Sequence, residues 1–201
     1  FLTKEPNTIK WINEFKENDI FFDIGSNIGL YSCYAARNKK IKTFSFEPSV
    51  FNLEILAKNI NINKLNDLVT IIPISLYKEN KISSFNLSNT ENGGALSTFS
   101  EKFSHDGTDL DVSLYYNTLG ITLDKCVELF HLPNPDHIKI DVDGIEHLII
   151  KGSKKTLENT SSILIEVNEN FSDQFEMVND TLKNNNFELK EKSRTSFTKQ
   201  F

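Results

Sequence analysis

Asp23, Glu47, Asp141 and Glu166 each close a short apolar run of the kind that forms a buried strand, and the first of them runs straight into glycines. The segment from Phe21 to Ser32 reads FFDIGSNIGLYS, with Gly25, Asn27 and Gly29 standing before a helical pattern. A strand-to-helix turn of this type brings backbone close to a ligand, because glycine and asparagine accept backbone angles that other residues avoid. Taken alone, the turn leaves a phosphate, a dinucleotide and an adenosyl ligand open.

The glycine spacing narrows these three. A dinucleotide fingerprint requires G-x-G-x-x-G, but counting from Gly25 the positions hold Gly25, Asn27 and Leu30. A triphosphate loop requires Gly-Lys followed by Ser or Thr, and GSNIGLYS has no lysine. What remains is D-x-G-x-N-x-G, with Glu47 lying 18 residues beyond Gly29. That separation is close to the ~20 at which a βαβ unit places its ribose-binding acid. Carboxylates gathered at one sheet edge repel each other unless something accepts their company. An adenosine with an amino-acid tail does so, since Glu47 can take the ribose hydroxyls and an acid near the glycine turn can face an ammonium.

These residues need a frame, and the chain supplies one by alternating apolar runs with helical patterns, the mark of βαβ units in a mainly parallel sheet. Strands are expected at Asp19–Asp23, Lys42–Glu47, Val69–Ile72 with a possible extension to Leu76, His137–Asp141 and Ser162–Val167. Helices are expected at Ile28–Asn38, from the Ser49 cap to Ile60, at Ile145–Leu157 with a break near Gly152, and at Asp173–Asn184. Phe187–Lys190 and Ser196–Lys199 read as a closing antiparallel hairpin. Between Tyr77 and Leu119 the pattern turns polar and alternates in short pieces, as expected of strands and loops laid over the sheet edge, where a substrate can be recognised. NGGALS, around Gly93 and Gly94, is the expected lid within it.

At 201 residues, 38% hydrophobic and 25% charged, the chain fits one domain with its own core. A net charge of −6 with scattered lysines excludes the basic stripe that a nucleic-acid backbone requires. No apolar run reaches the ~20 residues of a membrane span. Cys33 and Cys126 stand far apart without zinc or disulfide spacing, so a reducing, cytoplasmic setting is expected. The chain opens on Phe1 rather than Met, which leads one to expect a segment upstream. Oligomeric state is not legible in these patterns.

FDIGSNIG, FSFEPSVFNLEILAKNI, TLDKC, IKIDVDGIEHLIIKGS and ILIEV, in that order, resemble the FkbM-type S-adenosylmethionine-dependent methyltransferases, from about residue 19 to residue 169. The resemblance implies an α/β class I methyltransferase fold: a Rossmann-like, doubly wound sheet, mostly parallel with an antiparallel last strand. It implies S-adenosylmethionine as cofactor and transfer of a methyl group to a hydroxyl oxygen of a small molecule or glycan. It places Asp23, Gly25, Asn27 and Gly29 around the methionine moiety, Glu47 on the ribose, Ser75 and Leu76 near the adenine, and Asp141 near the methionine end. Asp143 departs from the glutamate more usual in the family.

Transfer to a hydroxyl requires that its proton be removed. Asp141 and Glu146 are the expected catalytic acids, although Glu146 is equally suited to satisfying the amides of its own helix start. His147 and His105 are weaker candidates. A metal-assisted variant, with Asp141, Glu166 and Asn168 holding magnesium or calcium, ranks below the metal-free reading. The alternatives to an O-methyltransferase are a catalytically silent cofactor-binding scaffold and an N-methyltransferase, the latter disfavoured by the absence of a [DN]-P-P-[YF] signature.

Overall fold

The computed structural model describes residues 5–193. Helix α1 (Pro6–Asn13) leads into β1 (Ile20–Ile24), α2 (Leu30–Lys39), β2 (Lys42–Phe46), α3 (Val50–Ile62) and β3 (Val69–Ile72). Four further strands come next: β4 (Ser75–Leu76), β5 (Lys81–Leu87), β6 (Ser97–Phe99) and β7 (Leu114–Ile121). The chain then forms α4 (Leu123–Phe130), β8 (His137–Ile140), the short helices α5 (Glu146–Lys151) and α6 (Lys154–Leu157), β9 (Ser162–Ile165) and α7 (Ser172–Asn184).

The central sheet runs β3-β2-β1-β8-β9, with every pairing parallel. Phe21, Phe22, Asp23 and Ile24 are all buried, as befits a central strand covered on both faces. The chain winds outward from β1 to β3 and returns at β8 on the other side of β1. The switch point therefore lies between β1 and β8, and the crevice beyond their carboxyl ends is where such sheets bind ligands.

Pro73 ends β3 where an extension to Leu76 was conceivable, since proline has no N–H to give to the ladder. Ser75 and Leu76 pair instead with Gly120 and Ile121. They open a second sheet of order β4-β7-β5-β6, in which β5 and β7 pair along their length from Lys81↔Gly120 to Leu87↔Leu114. The polar excursion is thus an ordered layer. Its Phe85, Phe99 and Ile121 share one apolar core with Ile24, Phe46 and Ile140 of the central sheet.

Two helices, α1 and α4, had no counterpart in the sequence patterns, because each spans only 8 residues and owes its place to tertiary contacts. The indole of Trp11 in α1 donates to Ser162 Oγ at 2.9 Å, and His137 bridges Ser162 Oγ and Asp19 Oδ2 at 2.8 Å each while stacking on Phe15. That network fastens α1 to the end of the sheet opposite the crevice.

The expected closing hairpin does not form in its first arm. Asn186 takes a left-handed φ of 62° and the amide of Phe187 caps Leu182 O, so Phe187–Lys190 leaves α7 as irregular chain, not as a strand. The second arm, Ser196–Lys199, lies outside the described residues. Among the described residues the central sheet is accordingly parallel throughout. No helix among them is long and apolar enough to cross a membrane.

Candidate active site

The loops after β1, β2 and β8 converge on a cleft with about 550 Å³ of empty space, including its open mouth. Gly25, Asn27, Glu47, Ser75, Leu76 and Asp141 line it, so six of the sequence-derived positions meet there. Asp23, Gly29 and Glu146 do not line it.

Glu47 is the hinge of the arrangement. It is 4% exposed, its Oε2 accepts from the amide of Asn27 and its Oε1 from the amide of Ser49, both at 2.8 Å. The carboxylate thereby ties the glycine turn to the loop after β2. Asn52 adds a side-chain hydrogen bond, and the carboxylate keeps acceptor capacity toward the cleft that it lines.

The glycines serve the protein's own packing. A Cβ on Gly25 would lie 1.8 Å from the carbonyl oxygen of Asp141, and its φ is +78°. Gly25 therefore lets β8 end against β1 with Asp141 at the cleft edge. A Cβ on Gly29 would lie 2.3 Å from Leu56, so this glycine seats α2 against α3. Its left-handed φ of 80° is also why α2 begins at Leu30, two residues later than the sequence pattern suggested.

Asp23 is sealed beneath the cleft at 0% exposure. Its Oδ2 accepts from Ser32 Oγ at 2.6 Å while Oδ1 has no hydrogen-bond partner, and burial raises its pKa. Beside it lies Lys139, 1% exposed, whose ammonium donates to Asp141 Oδ2 at 2.6 Å. Sequence reasoning passed over Lys139 as a strand residue. The available signal was a lysine inside an otherwise apolar run, HIKID.

Glu146 is 2% exposed and spends its carboxylate on its own loop, accepting from the amides of Val142 at 3.1 Å and Gly144 at 3.1–3.2 Å. Gln174 of α7 adds a bond at 2.6 Å. The side chain shapes the DVDG loop from behind. Burial pushes Glu47 up to about 7 and Glu146 up to about 8 in spite of these amide donors. An acid whose pKa rises on folding holds a proton that the unfolded chain has released. Its contribution is full below about pH 4 and is lost as pH climbs through the folded value. Removing this titration in Glu146→Gln should make the thermal midpoint fall less steeply from about pH 5 to pH 8 than in the wild type. Equal slopes would show that Glu146 does not titrate in that window.

The NGGALS segment closes over the mouth, pinned by three side chains. Asn27 Nδ2 donates to Gly94 O at 3.1 Å, Asn52 accepts from Gly93 N at 3.0 Å, and Asp143 Oδ2 accepts from Leu96 N at 2.7 Å. Asn27, Leu96 and Asp143 all have positive φ, of 51°, 60° and 61°. Non-glycine residues in this conformation cost energy and gather at functional sites. Burial and the neighbouring Asp141 charge raise the pKa of Asp143. Asn52 was not among the sequence-derived site positions, and only the folded chain shows it at the cleft. Asn168, the candidate metal ligand, uses its side-chain oxygen to accept from Asn170 N at 3.0 Å.

The cleft suits an adenosyl amino acid. Ile74, Leu76, Phe85, Phe99 and Ile149 provide an apolar bed for a base. Ser75 Oγ, buried in that wall without a partner, is a hydrogen-bonding group in want of one.

The model of the methyltransferase FkbM domain matches residues 23–189. A hexuronic acid methyltransferase, AglP of Haloferax volcanii, is 28% identical over 159 residues, covering 78% of this chain and 59% of its own. The present chain thus spans less than two thirds of that curated relative. Methyltransferase FkbM from Methylobacillus flagellatus superimposes with a TM-score of 0.59 at 15% identity, over 85% of this chain and 38% of that one. A precorrin-6y C5,15-methyltransferase from Geobacter metallireducens does so with 0.52 at 14% identity, over 89% and 72%. These two structures establish the class I methyltransferase fold.

Proposed function

The chain belongs to the FkbM methyltransferase family, with S-adenosylmethionine as methyl donor, and from that premise we propose that it methylates a hydroxyl oxygen of a glycan or small molecule. The observation that carries the hydroxyl reading is the placement of Asp143. This acid lines the cleft one residue past Val142, and its raised affinity for a proton suits it to take one from an acceptor hydroxyl. Support for a sugar acceptor comes from the relative described as a hexuronic acid methyltransferase.

The bound donor supplies an electrophilic methyl group on a sulfonium. The protein's own part is to place the acceptor oxygen in line with it and to receive the proton. Glu47 would hold the ribose, Ser75 and Leu76 the adenine, and Asn27 with Asp141 the amino-acid end. Gly25 and Glu146 keep the loops in register, and Asp23 supports them from below. The segment from Gly93 to Ser97, held by Asn27, Asn52 and Asp143, excludes water from the reacting groups.

Incubating the protein with S-adenosylmethionine and a panel of hydroxylated sugars and metabolites should release S-adenosylhomocysteine, with the new methyl group on oxygen in the product. Asp143→Asn should lower kcat by about a hundredfold while leaving donor affinity within a factor of about three, the pattern of a lost proton acceptor. Methyl groups recovered on nitrogen, or none transferred to any hydroxyl, would overturn the reading.

A further inference from the structure

We propose that Lys139 is a positioning residue that fixes the Asp141 carboxylate in the orientation that receives the amino-acid end of the methyl donor. The proposal rests on the donor-site reading and deepens it.

A lysine in the middle of a parallel sheet is costly, because removing an ammonium from water costs several kcal/mol unless it is paired. Its strand neighbours Ile138 and Ile140 are fully buried, and a third aliphatic residue would fill the position without that cost. Residues two apart on a strand share a face, so Lys139 and Asp141 project to the same side of β8. The ammonium meets Asp141 Oδ2 at 2.6 Å and sits 5.1 Å from the centre of the Tyr31 ring. Asp23 of β1 attracts it from the adjacent strand, and Glu5 adds a more distant pull. Burial works against its charge, yet these acids together raise its pKa, so the group is an ammonium at neutral pH.

The three groups differ in access. Lys139 and Asp23 are sealed, at 1% and 0% exposure, whereas the Asp141 side chain keeps 28% and lines the cleft. The ligand therefore meets a carboxylate whose side-chain torsion is set from below by an ion pair it cannot itself reach. The α-ammonium of the donor's amino-acid tail can donate to the exposed Asp141 carboxylate, whereas a phosphate would meet repulsion there.

The test compares two ligands that share the adenosyl group. S-adenosylhomocysteine carries the amino-acid tail and 5′-methylthioadenosine lacks it. In Lys139→Met, calorimetry should show S-adenosylhomocysteine binding weakened about tenfold or more, the scale of a misplaced charge-assisted contact, with 5′-methylthioadenosine affinity held within about twofold. Unchanged S-adenosylhomocysteine affinity overturns the proposal, and so does a parallel loss for both ligands, which would mark general damage. Should the buried Asp23 charge prevent Lys139→Met from folding, the double variant D23N/K139M removes that charge and is compared in the same way against D23N. Failure of the wild-type protein to bind either ligand would instead sink the donor-site reading, and this proposal with it.

Discussion

Glu47→Ala should weaken binding of S-adenosylhomocysteine by about tenfold to a hundredfold, corresponding to the loss of a charge-assisted pair of hydrogen bonds. The sequence led to this expectation through the ribose alone. The structure adds a second cause, since the same carboxylate satisfies the amides of Asn27 and Ser49. Its removal strands two backbone donors and loosens the glycine turn from the loop after β2. Glu47→Gln separates the two causes: its amide oxygen can still accept one backbone bond, while its NH2 group must face the other donor. The glutamine variant should therefore lose nearly as much affinity as alanine. Affinity unchanged in both variants would remove Glu47 from the donor site.

Gly25→Ala should be the most damaging single methyl in the chain. The added carbon would lie 1.8 Å from Asp141 O, with φ at +78°, and neither the strand end of β8 nor the turn can give way without the other. The left-handed conformation alone costs about 1–2 kcal/mol for an L-residue, and the clash with a backbone carbonyl should bring the total to roughly 3 kcal/mol or more. For a chain of this size that lowers the thermal midpoint by roughly 6–12 °C. Because the displaced group is Asp141, S-adenosylhomocysteine affinity should fall together with stability. A variant that melts with the wild type and binds equally well would show that the β1–β8 contact is looser than the structure has it.

Much of this site was legible in the sequence because its parts sit at strand ends. Asp23, Glu47 and Asp141 stand where apolar runs stop, and parallel strands in register bring those ends together whatever the loops do. The side of the sheet that each residue serves was not legible. Asp23 read as a ligand-facing acid, yet it lies sealed with Ser32 and Lys139, and Glu146, for which catalysis and amide capping stood level, is folded back onto the amides of its own loop. Gly25 and Gly29 read as room for a ligand, and the room is taken by Asp141 O and Leu56. Spacing reveals that a position has no side chain but not what occupies the space. Lys139, Asn52 and the clasp from Asp143 to Leu96 depend on contacts between distant segments, the last two being 47 positions apart. The first arm of the closing hairpin was misjudged because Asn186 ends α7 in a left-handed turn that directs Phe187 back against the core.

The central claim is that the crevice beyond β1 and β8 holds the methyl donor through Glu47 and Asp141. Calorimetric titration of the protein with S-adenosylhomocysteine tests it most directly. The expected result is one site per chain with a dissociation constant on the order of micromolar, about −8 kcal/mol, weakened in Glu47→Ala. Absence of any binding heat at millimolar ligand, with the protein folded, would contradict it.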